Sequence, residues 1–205
     1  MIHLAALDVE AQHEDDFARW YQEEHVPSIL ERPGWLRMRR YQCTDGQPRY
    51  VSIYDLDPAV VEGRLSEAPF RSGRFASRGL RNYHARTWRE IHAAGDHLER
   101  PEWINVVTVD VDADGAAAFN RWYNEVHVPE ILACPGWHAN RRYECLDGEP
   151  RFLAIYDLDA PELAFASPEW EAAVGWDEHV DHLRGFHGFR VYRLLFSCEA
   201  GERAP

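Results

Sequence analysis

Short apolar runs alternate with longer stretches of helical spacing along this chain. Residues 2–9 (IHLAALDV) and 104–109 (INVVTV) are short and apolar or β-branched, which predicts strands. Residues 15–24 and 115–126 show helical spacing. Phe17, Trp20, Tyr21 and His25 recur at i, i+3, i+4 and i+8, one face of a helix. Pro27 and Pro129 lack an N–H and bias Val26 and Val128 away from the α region, so a kink or restart is expected just after His25 and His127. Pro-Gly at 33–34 and 135–136 ends each helix. Strands are predicted from Trp35 to Cys43 and from Tyr50 to Tyr54, joined by a tight turn at Asp45-Gly46. The same arrangement recurs around Asp147-Gly148. A second helical region is expected over roughly 58–80 and 160–183. The last strand carries Tyr83-His84 and Phe186-His187.

The pattern repeats because the sequence repeats. FARWYQEEHVPSILERPGW from Phe17 and FNRWYNEVHVPEILACPGW from Phe119 share 13 of 19 residues. RRYQCTDGQPRYVSIYDLD from Arg39 and RRYECLDGEPRFLAIYDLD from Arg141 also share 13 of 19. Both matches lie at 119 − 17 = 141 − 39 = 102 residues. A period that long predicts a duplicated domain rather than a solenoid. The expected order is βαββαβ, twice: two tandem ferredoxin-like repeats of α+β class. The expected boundaries are 1–94 and 103–196, with a charged linker at 95–102 and a flexible tail at 197–205. A sheet covered by helices on one face leaves the other face bare. The expectation is therefore an intrachain pseudo-dimeric α/β barrel, in which the two bare faces cover each other.

Composition narrows the partners. Net charge is −13, from 22 basic and 35 acidic residues, which argues against nucleic acid. No apolar run is long enough to cross a membrane, and the first ten residues lack the basic start of a secretory signal. Cys43, Cys134, Cys145 and Cys198 form no CxxC pair and read as reduced thiols of a cytoplasmic protein. Aromatic residues make up 13%, with 8 Trp, which suits either an aromatic pocket or dense small cores.

W-Y-x3-H-x-P-x-I-L-x-x-P-G-W, followed by a strand ending I-Y-D-L, resembles the dimeric α/β barrel superfamily. Within it, the chain resembles the EthD-like branch. Polyketide cyclases, muconolactone-type isomerases and antibiotic-biosynthesis monooxygenases are its kin. Ser167-Pro168-Glu169-Trp170 resembles the start of that group's second helix. Members are usually dimers of single repeats, so this chain resembles a fused version. The resemblance implies chemistry without metal or organic cofactor, in a pocket between the sheet and helices of each repeat. Haem-binding relatives exist as well.

His25 and His127 are the first candidates for chemistry. Imidazole moves protons near neutral pH, and the resemblance points these two into the pocket. The alternative is a hydrogen-bonded structural lock on the kink. Tyr21 and Tyr123 lie four residues earlier on the same face, where a phenol could polarise an enolate oxygen. His84 and His187 match only at 187 − 84 = 103, and Trp88 and Tyr192 only at 192 − 88 = 104. A bulge there could turn the strand histidines to another face, into solvent. Trp20, Trp122, Trp35 and Trp137 could wall a substrate pocket or fill the cores. His179, His182 and His187 invite a metal reading. The first repeat has Ser77 and Arg78 nearby instead, and no fixed ligand spacing is present, so no metal is expected.

The functional expectation is a cofactor-independent isomerase, cyclase or lyase. It would act on a small hydrophobic, aromatic or polyketide-like carbonyl compound through histidine acid/base chemistry. One alternative is a haem- or O2-dependent monooxygenase of the same fold. Another is a non-catalytic binding or accessory protein. A homodimer of the fused chain completes the list of expected partners.

Overall fold

The computed structural model describes residues 1–61, 79–173 and 181–201. Contacts divide the chain into two compact units. The first holds Met1–Trp88 and Leu194–Pro205, and the second holds Arg89–Arg193. Both boundaries fall inside long strands, β4 (Leu80–Gly95) and β8 (Leu183–Glu199).

The first unit opens with β1 (Ile2–Val9), buried along its whole length. It lies between β3 (Tyr50–Leu56) and β4, and β3 also pairs with β2 (Trp35–Cys43), every pairing antiparallel. A central strand flanked on both edges and covered on both faces has no wet side. That is why β1 reads as a continuous apolar run instead of alternating. Residues 194–199 of β8 lie beside β2, where the Ala200 N–H donates to the Leu36 carbonyl at 2.8 Å. The order β4–β1–β3–β2 is that of a ferredoxin-like sheet.

The connecting helix is three pieces in series. These are α1 (Glu14–Trp20), a π-helical turn (Tyr21–His25) and α2 (Val26–Leu30). Glu14, Asp15 and Asp16 place negative charge at the positive end of the helix. Phe17, Tyr21, Ile29 and Leu30 turn inward onto Leu7, Val9, Met38 and Tyr54. The break falls one residue earlier than the proline rule suggests. Val26 is right-handed α (φ −60°, ψ −49°), and its N–H reaches back five residues to the Tyr21 carbonyl. The wider π-turn absorbs the proline's demand before Pro27, so the residue ahead of proline stays helical.

The second unit repeats this order of elements. β5 (Trp103–Val111) pairs with β7 (Phe152–Leu158) and β8, and β6 (Trp137–Cys145) pairs with β7. α4 (Ala116–Trp122), a π-turn (Tyr123–His127) and α5 (Val128–Leu132) form its helix, and Val128 is again α (φ −62°). Its core gathers Val107, Phe119, Trp122, Ile131, Trp137 and Tyr156.

Two local expectations need correction. The β2–β3 and β6–β7 links are six-residue loops rather than tight Asp-Gly turns. In each, the last residue of the first strand donates its N–H across the loop, Cys43 to Arg49 at 2.7 Å and Cys145 to Arg151 at 2.8 Å. Cis Gln47–Pro48 and Glu149–Pro150 bonds lie inside these loops. In the expected helical region over 160–183, the described residues hold two short helices, α6 (Pro161–Ala164) and α7 (Pro168–Ala173), because Pro168 ends one run and starts the next, and residues 174–180 lie outside the described residues. In the first unit, α3 (Pro58–Val61) begins the matching region, and residues 62–78 lie outside the described residues.

Gly34 ends the first unit's helix with φ +86°, and an added Cβ would stand 2.9 Å from Val60 Cβ. The left-handed backbone and the close approach both require glycine. Gly34→Ala is expected to cost about 1–3 kcal/mol. A urea unfolding midpoint indistinguishable from the parent would contradict this.

Candidate active site

The first unit holds a cleft between its helix and its sheet. Ala5 and Leu7 of β1, Leu80 and Tyr83 of β4, and Phe17, Trp20, Tyr21 and His25 of the helix line it. The enclosed space is about 10 Å³, room for about one water, and the rest of the cleft opens to solvent.

The π-turn aims its side chains here. A wider turn re-phases the helix, so Tyr21 and His25 both come inward while Glu23 and Glu24 stay exposed. His25 is 7% exposed. Its ring lies 5.0 Å from the Trp20 ring and 4.9 Å from the Tyr21 ring, centroid to centroid. Burial, then the charges of Arg40 and Arg32, push its pKa down to about 4. The imidazole is therefore neutral at physiological pH.

Tyr21 Oη and Tyr54 Oη share a hydrogen bond of 2.7 Å, both groups buried. Burial and the neighbouring Tyr21 hold the Tyr54 phenol well above its ordinary pKa. The Arg40 guanidinium stacks on the Tyr21 ring at 4.2 Å. Beyond Tyr54 stands His3, whose Nδ1 lies 3.1 Å from Thr87 Oγ1 and whose ring lies 5.6 Å from that of Trp35. Burial raises the Tyr83 phenol as well.

The strand histidines do not join this group. The β1–β4 register shifts between Ala6 and Asp8, and Asn82 takes φ 49° there. That bulge sends Tyr83 into the cleft and leaves His84 exposed, with its Nδ1 3.2 Å from the Asn82 carbonyl. His187 is exposed beside the matching irregularity in β8, 4.0 Å from Asp110. His182 is exposed and His179 lies outside the described residues. Among the described residues, no three His, Cys, Asp or Glu side chains cluster as metal ligands.

The second unit keeps the same aromatic frame. Tyr156 Oη donates to Tyr123 Oη at 3.2 Å. The His127 ring stacks 5.1 Å from Trp122, and the histidine is only half-buried. Trp122 and Trp137 are core residues. Trp137 Nε1 donates to the Ala164 carbonyl at 2.8 Å and its ring stacks on Trp170 at 4.6 Å. Trp35 packs edge-on to Tyr54 without lining the cleft, so Trp20 is the tryptophan that does. The matching stretch of β8 reads Phe186-His187-Gly188, so the second unit lacks the Tyr83 phenol.

No known family profile matches the chain's sequence, and no curated protein matches it. The fold, in contrast, is widely shared. An anthrone oxidase-like protein superposes with a TM-score of 0.73 at 14% identity, covering 98% of this chain and 93% of the other. A proposed monooxygenase from Fusobacterium nucleatum gives 0.64 at 10% identity, covering 98% and 94%. Chlorite dismutase from Candidatus Nitrospira defluvii, in complex with imidazole, gives 0.60 at 13% identity, covering 94% and 90%. These likenesses establish a shared ferredoxin-like α+β fold. Among the described residues, no helix is long and apolar enough to cross a membrane.

Sequence reasoning missed Tyr54, Arg40 and His3. The first two were legible, because Tyr54 and Arg40 sit in the second repeated segment at the 102-residue shift, opposite Tyr156 and Arg142. His3 carried no such signal, since its counterpart is Asn105.

Proposed function

We propose that the first unit is the active site of an O2-dependent oxygenase acting on a small enolisable or phenolic aromatic compound. The observation that carries this is the cleft itself. It is apolar, yet it gathers the neutral imidazole of His25 with the phenols of Tyr21 and Tyr83. Those groups suit deprotonation of an acidic carbon or phenol and stabilisation of the resulting oxyanion. An electron-rich carbanion or phenolate can reduce O2 directly. An activated methylene and one molecule of O2 balance to a carbonyl and one water. One oxygen atom enters the new C=O bond, the other leaves in the water with the two methylene hydrogens, and all four electrons come from the substrate. Three neighbours in the fold are described as oxidase-like or as monooxygenases, which favours oxygen use over the isomerase, cyclase or lyase reading.

The finer fold reading belongs here too. We propose that the chain is a fused pseudo-dimer made by duplication of one ferredoxin-like domain. The 102-residue repeat and the recurrence of strand, helix, π-turn, helix and hairpin support it.

An oxygen electrode and isotope labelling test the activity. A panel of enolisable aryl ketones, anthrone included, should consume O2 stoichiometrically, and one atom of 18O2 should appear in the product carbonyl. Turnover that continues undiminished under nitrogen would return the chain to the isomerase and cyclase class.

A further inference from the structure

The two units treat one buried arginine differently. Arg142 of the second unit seats its guanidinium 4.0 Å from the Tyr123 ring centroid, with Phe119 and Phe152 beyond. Two carboxamides clamp it. Nη1 donates to Asn124 Oδ1 at 2.6 Å and Nη2 donates to Asn120 Oδ1 at 2.7 Å. Arg40 of the first unit, at 142 − 40 = 102, has the same aromatic seat on Tyr21 (4.2 Å), Tyr50 (4.7 Å) and Phe17 (5.2 Å). The clamp is missing, because Ala18 and Gln22 stand where the second unit has Asn120 and Asn124. Arg40 is 2% exposed, and its Nε and Nη1 are buried with no hydrogen-bond partner among the described residues.

A buried cation without a carboxylate or amide to hold it is costly to keep. It sits against Phe17 and Tyr21, both of which line the cleft. We propose that Arg40 is a positioning residue whose uncompensated charge, acting through the Tyr21 and Phe17 side, makes the cleft of the first unit select ligands in their anionic form, a phenolate or enolate. In the second unit the amides of Asn120 and Asn124 disperse the equivalent charge. The first unit is thus the half that takes an oxyanion. Arg40 already acts electrostatically on this space, since it is one cause of the depressed His25 pKa. The cations acting on His25 there are Arg40 and Arg32. The nearby titrating groups are His25, Tyr21, Tyr54 and Tyr83.

This inference rests on the aromatic ligand class proposed above, but its test needs no turnover. 4-Nitrophenol is the probe, because its phenolate absorbs visibly and its phenol does not. It would be titrated under nitrogen with excess full-length protein. A cation near a buried acid lowers its pKa by about 1–3 units at 4–6 Å. The path past the Tyr21 ring puts the expected shift for bound probe at the low end, about one unit below the free value. The Ala18→Asn/Gln22→Asn variant gives Arg40 the amides that Arg142 has, at positions that are exposed and half-buried. It should remove most of the shift. Arg40→Met should do the same if the clamp variant folds poorly. Asn120→Ala should leave the shift intact. Failure of the probe to bind, a bound pKa at or above the free value, or equal shifts in the parent and both first-unit variants would overturn the proposal. O2 consumption without the probe shift would overturn it while leaving the oxygenase reading standing. The reverse result would do the opposite.

Discussion

Replacing His25 by glutamine is expected to lower kcat about a hundredfold, measured as O2 uptake per folded molecule. The same change at His127 should leave most turnover in place. The asymmetry follows from the two environments. His25 lines the cleft and is buried, whereas His127 is only half-buried. The pH profile sharpens the test. With its pKa held at about 4, His25 is already the free base at neutral pH, so the acid limb of kcat/KM should fall near pH 4 to 5 instead of near 6.5. Protonating that imidazole at pH 7 costs about 4 kcal/mol, which makes it a poor base in the empty cleft. A bound oxyanion would oppose the field of Arg40 and favour the imidazolium, so the base strengthens as the substrate ionises. A purely structural histidine gives the opposite pattern: a lower melting temperature with turnover per folded molecule unchanged. That result would remove His25 from the chemistry.

The sequence made the frame legible and left the chemistry partly hidden. Strand β1 falls on the expected residues because a nearly continuous apolar run leaves few alternatives, and β2 does so because Pro33-Gly34 and Asp45-Gly46 bound it. Periodicity also placed Phe17, Tyr21 and His25 on one face. It could not show that a π-turn lets Tyr21 and His25 both reach the cleft, because proline rules describe the residue before proline, not the turn that relieves it. The Tyr21–Tyr54 bond joins residues 33 apart in sequence, and no local pattern announces such a pair. The one-step slip between His84 and His187 did announce a bulge, and the bulge decides which side chain of the Tyr83-His84 pair enters the cleft. The unclamped state of Arg40 was the least visible feature. It appears only when a retained arginine is set against the exchange of Asn120 and Asn124 for Ala18 and Gln22.

Acid should destabilise this protein in a window set largely by His25. Its folded pKa of about 4 lies below the ordinary value of 6.5, so between those limits the unfolded chain binds more protons than the folded one. The stability tied to neutral His25 is therefore fully present above pH 6.5 and is lost as pH falls toward 4. The shift corresponds to about 3 kcal/mol. For a chain of this length that loss lowers Tm by about 6–12 °C. His92 and His97, whose pKa values burial also lowers, add to the loss in the same direction. Their contribution cancels when variants are compared with the parent. His25→Gln should start less stable at pH 7.5, because the buried site is less well filled, yet lose about 6–12 °C less between pH 6.5 and 4. Arg40→Met should show part of the same flattening, since the arginine is the second cause of the depressed pKa after burial. Calorimetric scans at half-unit pH steps would read both slopes. Parallel Tm curves for the parent and His25→Gln would mean that the folded protein does not hold His25 neutral, and that the cleft lacks the electrostatic character argued from Arg40.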